Sequence, residues 1–158
     1  MPVEWLQALG DWPVAALLRR SLYVYPLVNA AHILALALLI GAILPADLRI
    51  LGLFPRLAVA PFLRAMAAVS AFGLLLAAVT GFLLFSVQPL EYAANPAFLA
   101  KVSLVALGTA NALAVRCSAG WRQATTEGEI GAGLKLGAAF SLSIWLAALL
   151  AGRWIAFV

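Results

Sequence analysis

Four long apolar stretches constrain this chain more than any other feature of its sequence. They cover 23–44, 62–87, 98–117 and 135–158, and the first contains no charged residue. About 20 apolar residues are enough for one helix to cross the hydrocarbon core of a bilayer. Isolated strands cannot satisfy their backbone groups in lipid, and the stretches lack the alternation typical of a membrane barrel. The sequence therefore predicts an all-α integral membrane protein with four spanning helices.

Composition excludes the soluble classes of protein. Hydrophobic residues make up 66% of the 158 residues and charged residues only 10%, whereas soluble domains carry about 25% charged residues. The net charge is +4, but the basic residues lie at the ends of the apolar stretches, as they do in proteins that contact lipid head groups. No nucleic-acid partner is expected. The single cysteine, Cys117, excludes a disulfide within the chain.

The chain divides into two parts. Residues 1–22 contain Glu4 and Asp11 and no continuous apolar run, so they do not form a signal peptide. Asp11-Trp12-Pro13 is typical of a helix start, and a helix to about Arg20 is expected to lie on the membrane as an amphipathic segment. Residues 23–158 are expected to form the four-helix transmembrane bundle.

Two connections between the predicted spans carry expectations of their own. Pro45 is expected to end the first helix, and the segment from Pro45 to Pro61 to lie at the membrane surface. Asp47 would then be exposed to head-group water, near Arg49 or Arg116. The stretch 118–134 is rich in Gly and Thr, which predicts a loop.

An even number of spans puts both termini on the same side of the membrane. Four basic residues fall on the terminal side and six on the other, which favours termini outside the cell by the positive-inside rule. The pair Arg19-Arg20 beside the first span argues for the opposite orientation. The four are Arg19, Arg20, Lys101 and Arg153, and the six are Arg49, Arg56, Arg64, Arg116, Arg122 and Lys135.

Polar residues on the first span share one helical stripe. His32, the only histidine, lies at i+3 from Asn29 and i+7 from Tyr25. It lies about 13 Å below the membrane surface at 1.5 Å per residue. Polar groups in lipid are costly and should face the bundle interior or a partner chain.

Matching faces of small and polar residues occur on the other three spans, and they predict close helix packing. These faces comprise Ser70, Gly73, Ala77, Thr80 and Gly81, then Lys101, Gly108 and Asn111, then Gly137, Ser141, Trp145, Ala148 and Gly152.

Three uses of His32 are open: a metal or haem ligand, a proton relay, or a hydrogen-bonded core residue. No Asp or Glu lies inside a predicted span, which disfavours the relay, and one histidine cannot make a metal site by itself. Haem needs only one or two axial ligands. Lys101 and Arg153 fall at the membrane level of Tyr25, about one haem length above His32, where they could hold propionates. A b-type haem ligated by His32, with Asn29, Tyr25, Lys101 and Arg153 around it, is the preferred interpretation.

Five stretches of the sequence carry a resemblance to known proteins: 25–32, 47–52, 95–101, 111–112 and 152–156. Together they resemble a family of small bacterial four-helix membrane proteins of unknown function. The chain is also distantly similar to the membrane domain of copper-resistance D-type proteins. The resemblance implies a bacterial inner membrane location and a four-helix bundle, and it assigns no activity.

Three functions follow as hypotheses. The first is a haem protein or subunit in electron transfer, an electron carrier rather than a self-contained enzyme. It would hold one five-coordinate haem in a single chain, or one haem between two His32 residues in a homodimer. The second is a non-catalytic accessory subunit of a larger membrane complex. The third is a protein that handles small solutes or copper, although two methionines, one cysteine and one histidine are few ligands for copper.

Overall fold

The computed structural model describes residues 2–157, and this part of the chain contains helices and no strand. The order along the chain is α1 (Pro2–Gly10), α2 (Pro13–Arg20), α3 (Val24–Ile50), α4 (Val59–Val87), α5 (Pro89–Ala94), α6 (Pro96–Cys117), α7 (Ala119–Thr126), α8 (Ala132–Trp154) and a 3₁₀ helix (Ile155–Phe157).

The four long helices α3, α4, α6 and α8 are each long and apolar enough to cross a membrane. Large apolar side chains on their outer faces are exposed, Leu75 and Leu136 among them, as lipid-facing residues should be. The predicted all-α bundle is confirmed, and the protein is a multi-pass membrane protein in contact with the bilayer.

The bundle consists of two helical hairpins. α3 packs along α4, α6 packs along α8, and the hairpins meet where α3 contacts α8. The backbones of α4 and α6, both fully described, stay farther apart, with no pair of Cα atoms within 8 Å. Side chains bridge the two helices, since Arg116 of α6 donates to the Ala67 carbonyl oxygen of α4 and Phe98 of α6 stacks on Phe85 of α4. A cleft is left between these two helices.

Glycine sets the spacing of the α3–α4 hairpin. A Cβ atom on Gly73 would lie 2.6 Å from the Leu39 backbone nitrogen and 3.1 Å from the Ala35 carbonyl oxygen. Only glycine lets the two backbones approach this closely. Most of the residues expected to pack, including Gly73, Thr80, Trp145 and Ala148, are buried, and the others are partly buried, among them Gly81 and Lys101.

Helix α3 is longer than predicted, because Pro45 lies inside it. Proline removes only one backbone donor, and the helix continues to Ile50. It ends where Gly52 adopts a left-handed backbone with φ of 108°. The Gly52 N–H then donates to Arg49 and the Leu53 N–H to Leu48, the Schellman pattern of helix ends.

The extension of α3 overturns the expectation for Asp47. This residue lies in the helix and is only 7% exposed, so it does not face head-group water. Arg49 does not pair with it, because its guanidinium donates to the Leu57 carbonyl oxygen at 2.9 and 2.8 Å.

The predicted loop 118–134 is also wrong over its first half, which forms α7. The Ser118 side chain caps this helix by accepting a hydrogen bond from the Trp121 N–H at 3.1 Å. Ala124 of α7 is fully buried against Leu63 and Leu134. The helix therefore closes one end of the bundle.

At the opposite end, α1 and α2 pack against the ends of α4 and α5. The predicted helix up to Arg20 is present as α2, and α1 precedes it. Arg19 donates hydrogen bonds to the carbonyl oxygens of Val87 and Gly10. A cation at these carbonyls stabilises the C-terminal ends of α4 and α1.

The Gly73 contact leads to a stability prediction. Gly73→Ala should lower the free energy of unfolding by about 1–3 kcal/mol or more, because its Cβ meets backbone atoms that cannot rotate away. Gly41→Ala on α3 is the matched control, since its Cβ would have open space around it. Thermal unfolding of both variants in the same detergent checks this. Equal stability of the two would show that the hairpin does not depend on close approach at Gly73.

Candidate functional site

His32 is hydrogen-bonded to the neighbouring helix. Its Nδ1 lies 2.8 Å from the Thr80 hydroxyl oxygen, across the α3–α4 contact. The Thr80 hydroxyl lies 2.6 Å from the Leu76 carbonyl oxygen, one turn earlier on α4. A hydrogen bond from His32 to Asn29 or to a neighbouring Ser or Thr is what the accessory-subunit hypothesis expects, and the structure identifies Thr80 as that partner.

This arrangement favours one tautomer of His32. The shorter of the two Thr80 contacts is the one to the Leu76 carbonyl, which favours donation from Nδ1–H to the Thr80 oxygen. In that tautomer the other ring nitrogen, Nε2, carries the lone pair. An imidazole with one nitrogen fixed by a hydrogen bond and the other open is the form that ligates metals.

Gly81 has no side chain, and this leaves room for the His32 imidazole to pack against α4. A Cβ at this position would lie 3.1 Å from His32 Cε1 and 3.9 Å from Nε2. The ring therefore rests with its Cε1 edge against the glycine backbone. Thr80 and Gly81 together fix both the orientation and the position of the ring.

Lys101 and Arg153 differ in their relation to His32. Lys101 is half-buried and close enough to the imidazole to act on it electrostatically. Its side chain runs along Gly152, where an added Cβ would lie 3.5 Å from the lysine Cδ. Arg153 is exposed, and its guanidinium carbon lies 4.7 Å from the centre of the Phe157 ring. Of the two predicted cations, Lys101 is the one that approaches the histidine.

Tyr25 and Asn29, the other predicted site residues, point elsewhere. Tyr25 lies next to Tyr92 of α5, and burial and the neighbouring Tyr25 raise the pKa of Tyr92. Tyr92 in turn packs on Phe98, with ring centres 5.3 Å apart. Asn29 is exposed. The stripe therefore joins an aromatic cluster at the terminal side to His32 deeper in the bundle.

A second polar group lies in the other half of the bundle, where the sequence predicted no site. A cavity of about 410 Å³ is walled by α3, α4, α6 and α8 and contains the buried Asp47. On α3 its wall ends at Leu39, about two helical turns from His32. Ser70, Asn111, Arg116, Ser141 and Trp145 also line it. Asp47 was missed because Pro45 was read as the end of the helix, although Gly52 marks that end in the sequence.

Neither region forms a conventional metal centre. Within residues 2–157 no three His, Cys, Asp or Glu side chains cluster closely enough to hold a metal ion. This is in keeping with the single histidine and single cysteine of the sequence. Comparisons of the chain with protein families, curated proteins and solved structures gave no match.

The His32–Thr80 hydrogen bond leads to a second prediction. Thr80→Val keeps the shape of the side chain but removes the acceptor, and should cost about 0.6–1.7 kcal/mol, the range for such bonds in membranes. In a double-mutant cycle with His32→Leu, the two costs should not add. Ser143→Ala is the control, because that exposed hydroxyl donates only within its own helix. Additive costs in unfolding measurements would show that the two side chains do not interact.

Proposed function

We propose that this protein binds b-type haem through His32 and acts in electron transfer, as a carrier or as a subunit of a larger membrane complex. The observation that carries the proposal is the hydrogen bond between His32 Nδ1 and the Thr80 hydroxyl. With Nδ1–H donated to Thr80, the Nε2 lone pair would be available to iron. Histidines that ligate metals almost always donate their other ring N–H in this way.

The residues of the chain fit a haem at two points. Nε2 of His32 supplies one axial ligand, and Lys101 supplies a cation near it for one propionate. Arg153, stacked on Phe157 at the edge of the bundle, would reach a second propionate only by leaving that ring. The cavity around Asp47 has no part in this site, since its lining does not include His32.

When bound, haem supplies one-electron redox chemistry, and the protein's share is to hold and tune it. Thr80 fixes the direction of the His32 lone pair and increases the basicity of the ring through the hydrogen bond at Nδ1. Gly81 keeps the ring against α4.

A single histidine per chain sets the stoichiometry of the proposed site. One chain would hold a five-coordinate haem, and a homodimer would hold one haem between two His32 side chains. The proposed location is the bacterial inner membrane, with both termini in the periplasm. Six basic residues at the loop side against four at the terminal side support this orientation.

The alternative is an accessory subunit in which His32 only joins α3 to α4. The hydrogen bond to Thr80 is compatible with that role as well. The absorption spectrum separates the two functions, because only the haem protein is coloured. The same measurement on variants assigns the ligand.

Purified wild-type protein is expected to show a Soret band and sharp α and β bands after reduction. His32→Leu should remove these bands while the protein still inserts, because insertion depends on the apolar helices. Thr80→Val should retain the bands but weaken haem affinity by about 10–100-fold. Lys101→Met should weaken haem retention more than Arg153→Ala, since the Lys101 side chain is half-buried in the bundle whereas Arg153 is exposed and stacked on Phe157.

Thr109→Val is the matched control for these variants, because its hydroxyl donates to Val105 on its own helix and not to His32. It should bind haem like the wild type. A colourless wild-type protein purified from haem-replete cells would contradict the proposed function. Full haem content in His32→Leu would contradict the ligand assignment.

A further inference from the structure

The cleft between α4 and α6 is long and open to the side of the bundle. Its wall on α3 runs from Leu39 to Ile50, and on α4 from Leu63 to Ala78. At 1.5 Å per residue these distances are about 16 and 22 Å. Leu75 of α4 and Leu113 of α6 line the cleft and are exposed, so the cleft opens between these helices towards the surrounding lipid. Its long axis follows the spanning helices.

The two ends of the cleft differ in polarity. Asp47 lies one turn before the end of α3, and Arg116 is the penultimate residue of α6. Both are at the loop side, the level at which lipid head groups lie. The deeper part of the wall is formed by Leu39, Leu74 and Ala78. The cleft is thus amphipathic along the membrane normal.

Two buried polar atoms in this region lack partners. Asp47 is 7% exposed and its Oδ2 has no hydrogen-bond partner within residues 2–157, and the same holds for Nε1 of Trp145, 2% exposed. Leaving such groups unsatisfied is costly, most of all for a carboxylate. Asp47 and Ser141 line the same cavity. A cationic donor beside Asp47 would remove this cost.

Arg116 offers the opposite charge across the cleft. Its Nη2 donates to the Ala67 carbonyl oxygen at 2.7 Å and lies 3.3 Å from the Ser70 hydroxyl. These contacts fix the guanidinium on α4 through one of its nitrogens. The guanidinium carries five N–H donors in a planar fork, a geometry suited to phosphate.

We infer that this cleft binds a phospholipid whose head group carries a phosphate and a primary ammonium. The ammonium pairs with Asp47, the phosphate with Arg116, and one acyl chain follows the apolar wall towards Leu39 and Ala78. Rotation of the Asp47 carboxyl about its soft terminal torsion brings Oδ2 to the ammonium. The cleft combines opposite charges at the depth of the head groups with an apolar wall and an opening to the side. These features together favour a zwitterionic lipid that enters from the bilayer.

Native mass spectrometry of the detergent-purified protein tests this inference. The probes are dioleoyl phosphatidylethanolamine, phosphatidylcholine and phosphatidylglycerol, added in equal amounts. The wild type should retain the ethanolamine lipid about tenfold more than the other two, because hydrogen bonds to charged groups contribute about 1.5–3 kcal/mol. Choline lacks N–H donors and glycerol lacks the positive charge.

Asp47→Asn should bring ethanolamine-lipid retention down to that of the choline lipid. Glu127→Gln, an exposed carboxylate at the end of α7, should leave the preference unchanged. Ala112→Leu, which fills the cleft, should reduce retention of all three lipids, whereas Ala110→Leu on the exposed face of α6 should not. The Ala112 variant leaves both charges in place, so it tests the site even if Asp47→Asn misfolds.

Three results would overturn the inference. Equal retention of the three lipids by the wild type would mean that the cleft is a water-filled cavity and not a lipid-binding site. An unchanged preference in Asp47→Asn would remove the carboxylate from the site. Displacement of the lipid by equimolar glycerophosphoethanolamine, which has the head group without chains, would show that the ligand is a free zwitterion rather than a lipid.

Discussion

The backbone contact between α3 and α4 at Gly73 is the constraint on which the rest of the structure depends. Lipid tails are as apolar as leucine side chains, so helices in a membrane gain little from burying apolar surface against each other. They gain instead from close packing and from hydrogen bonds between helices. At Gly73 both are available, because its missing side chain brings α4 against Leu39 and Ala35. The same approach places Thr80 within 2.8 Å of His32.

The consequences extend to both polar regions of the bundle. With α3 held on α4, His32 and Asp47 lie on broadly the same face of one continuous helix, in opposite halves of the membrane. In the Asp47 half the cleft between α4 and α6 opens to lipid at the exposed Leu75 and Leu113. In the His32 half Tyr25 lies beside Tyr92, and Phe85 of α4 stacks on Phe98 of α6. The packing of α3 on α4 thus places the His32 site and the Asp47 cleft in different halves of the bundle.

The two proposals use different chemistry and stand independently. The haem proposal depends on the lone pair of His32 Nε2 and the charge of Lys101. The lipid proposal depends on an unpartnered carboxylate, a guanidinium fixed by Ala67, and an apolar wall. His32→Leu leaves the cleft intact, and Asp47→Asn leaves the His32–Thr80 pair intact. Each can therefore fail without affecting the other.

The sequence by itself determined that the chain spans a membrane with four helices, because apolar stretches of this length have no other stable form in lipid. It also identified His32, since an intramembrane histidine stands out among apolar neighbours. Only the tertiary structure decided the partner of His32. The sequence shows a threonine on a packing face, but it does not show whether its hydroxyl forms a hydrogen bond within its own helix or with a side chain of another helix. The depth of Asp47 was decided in the same way. Pro45 removes one backbone hydrogen bond, but it does not end α3, because α3 packs against both α4 and α8. This packing continues the helix to Ile50 and therefore buries the Asp47 carboxylate.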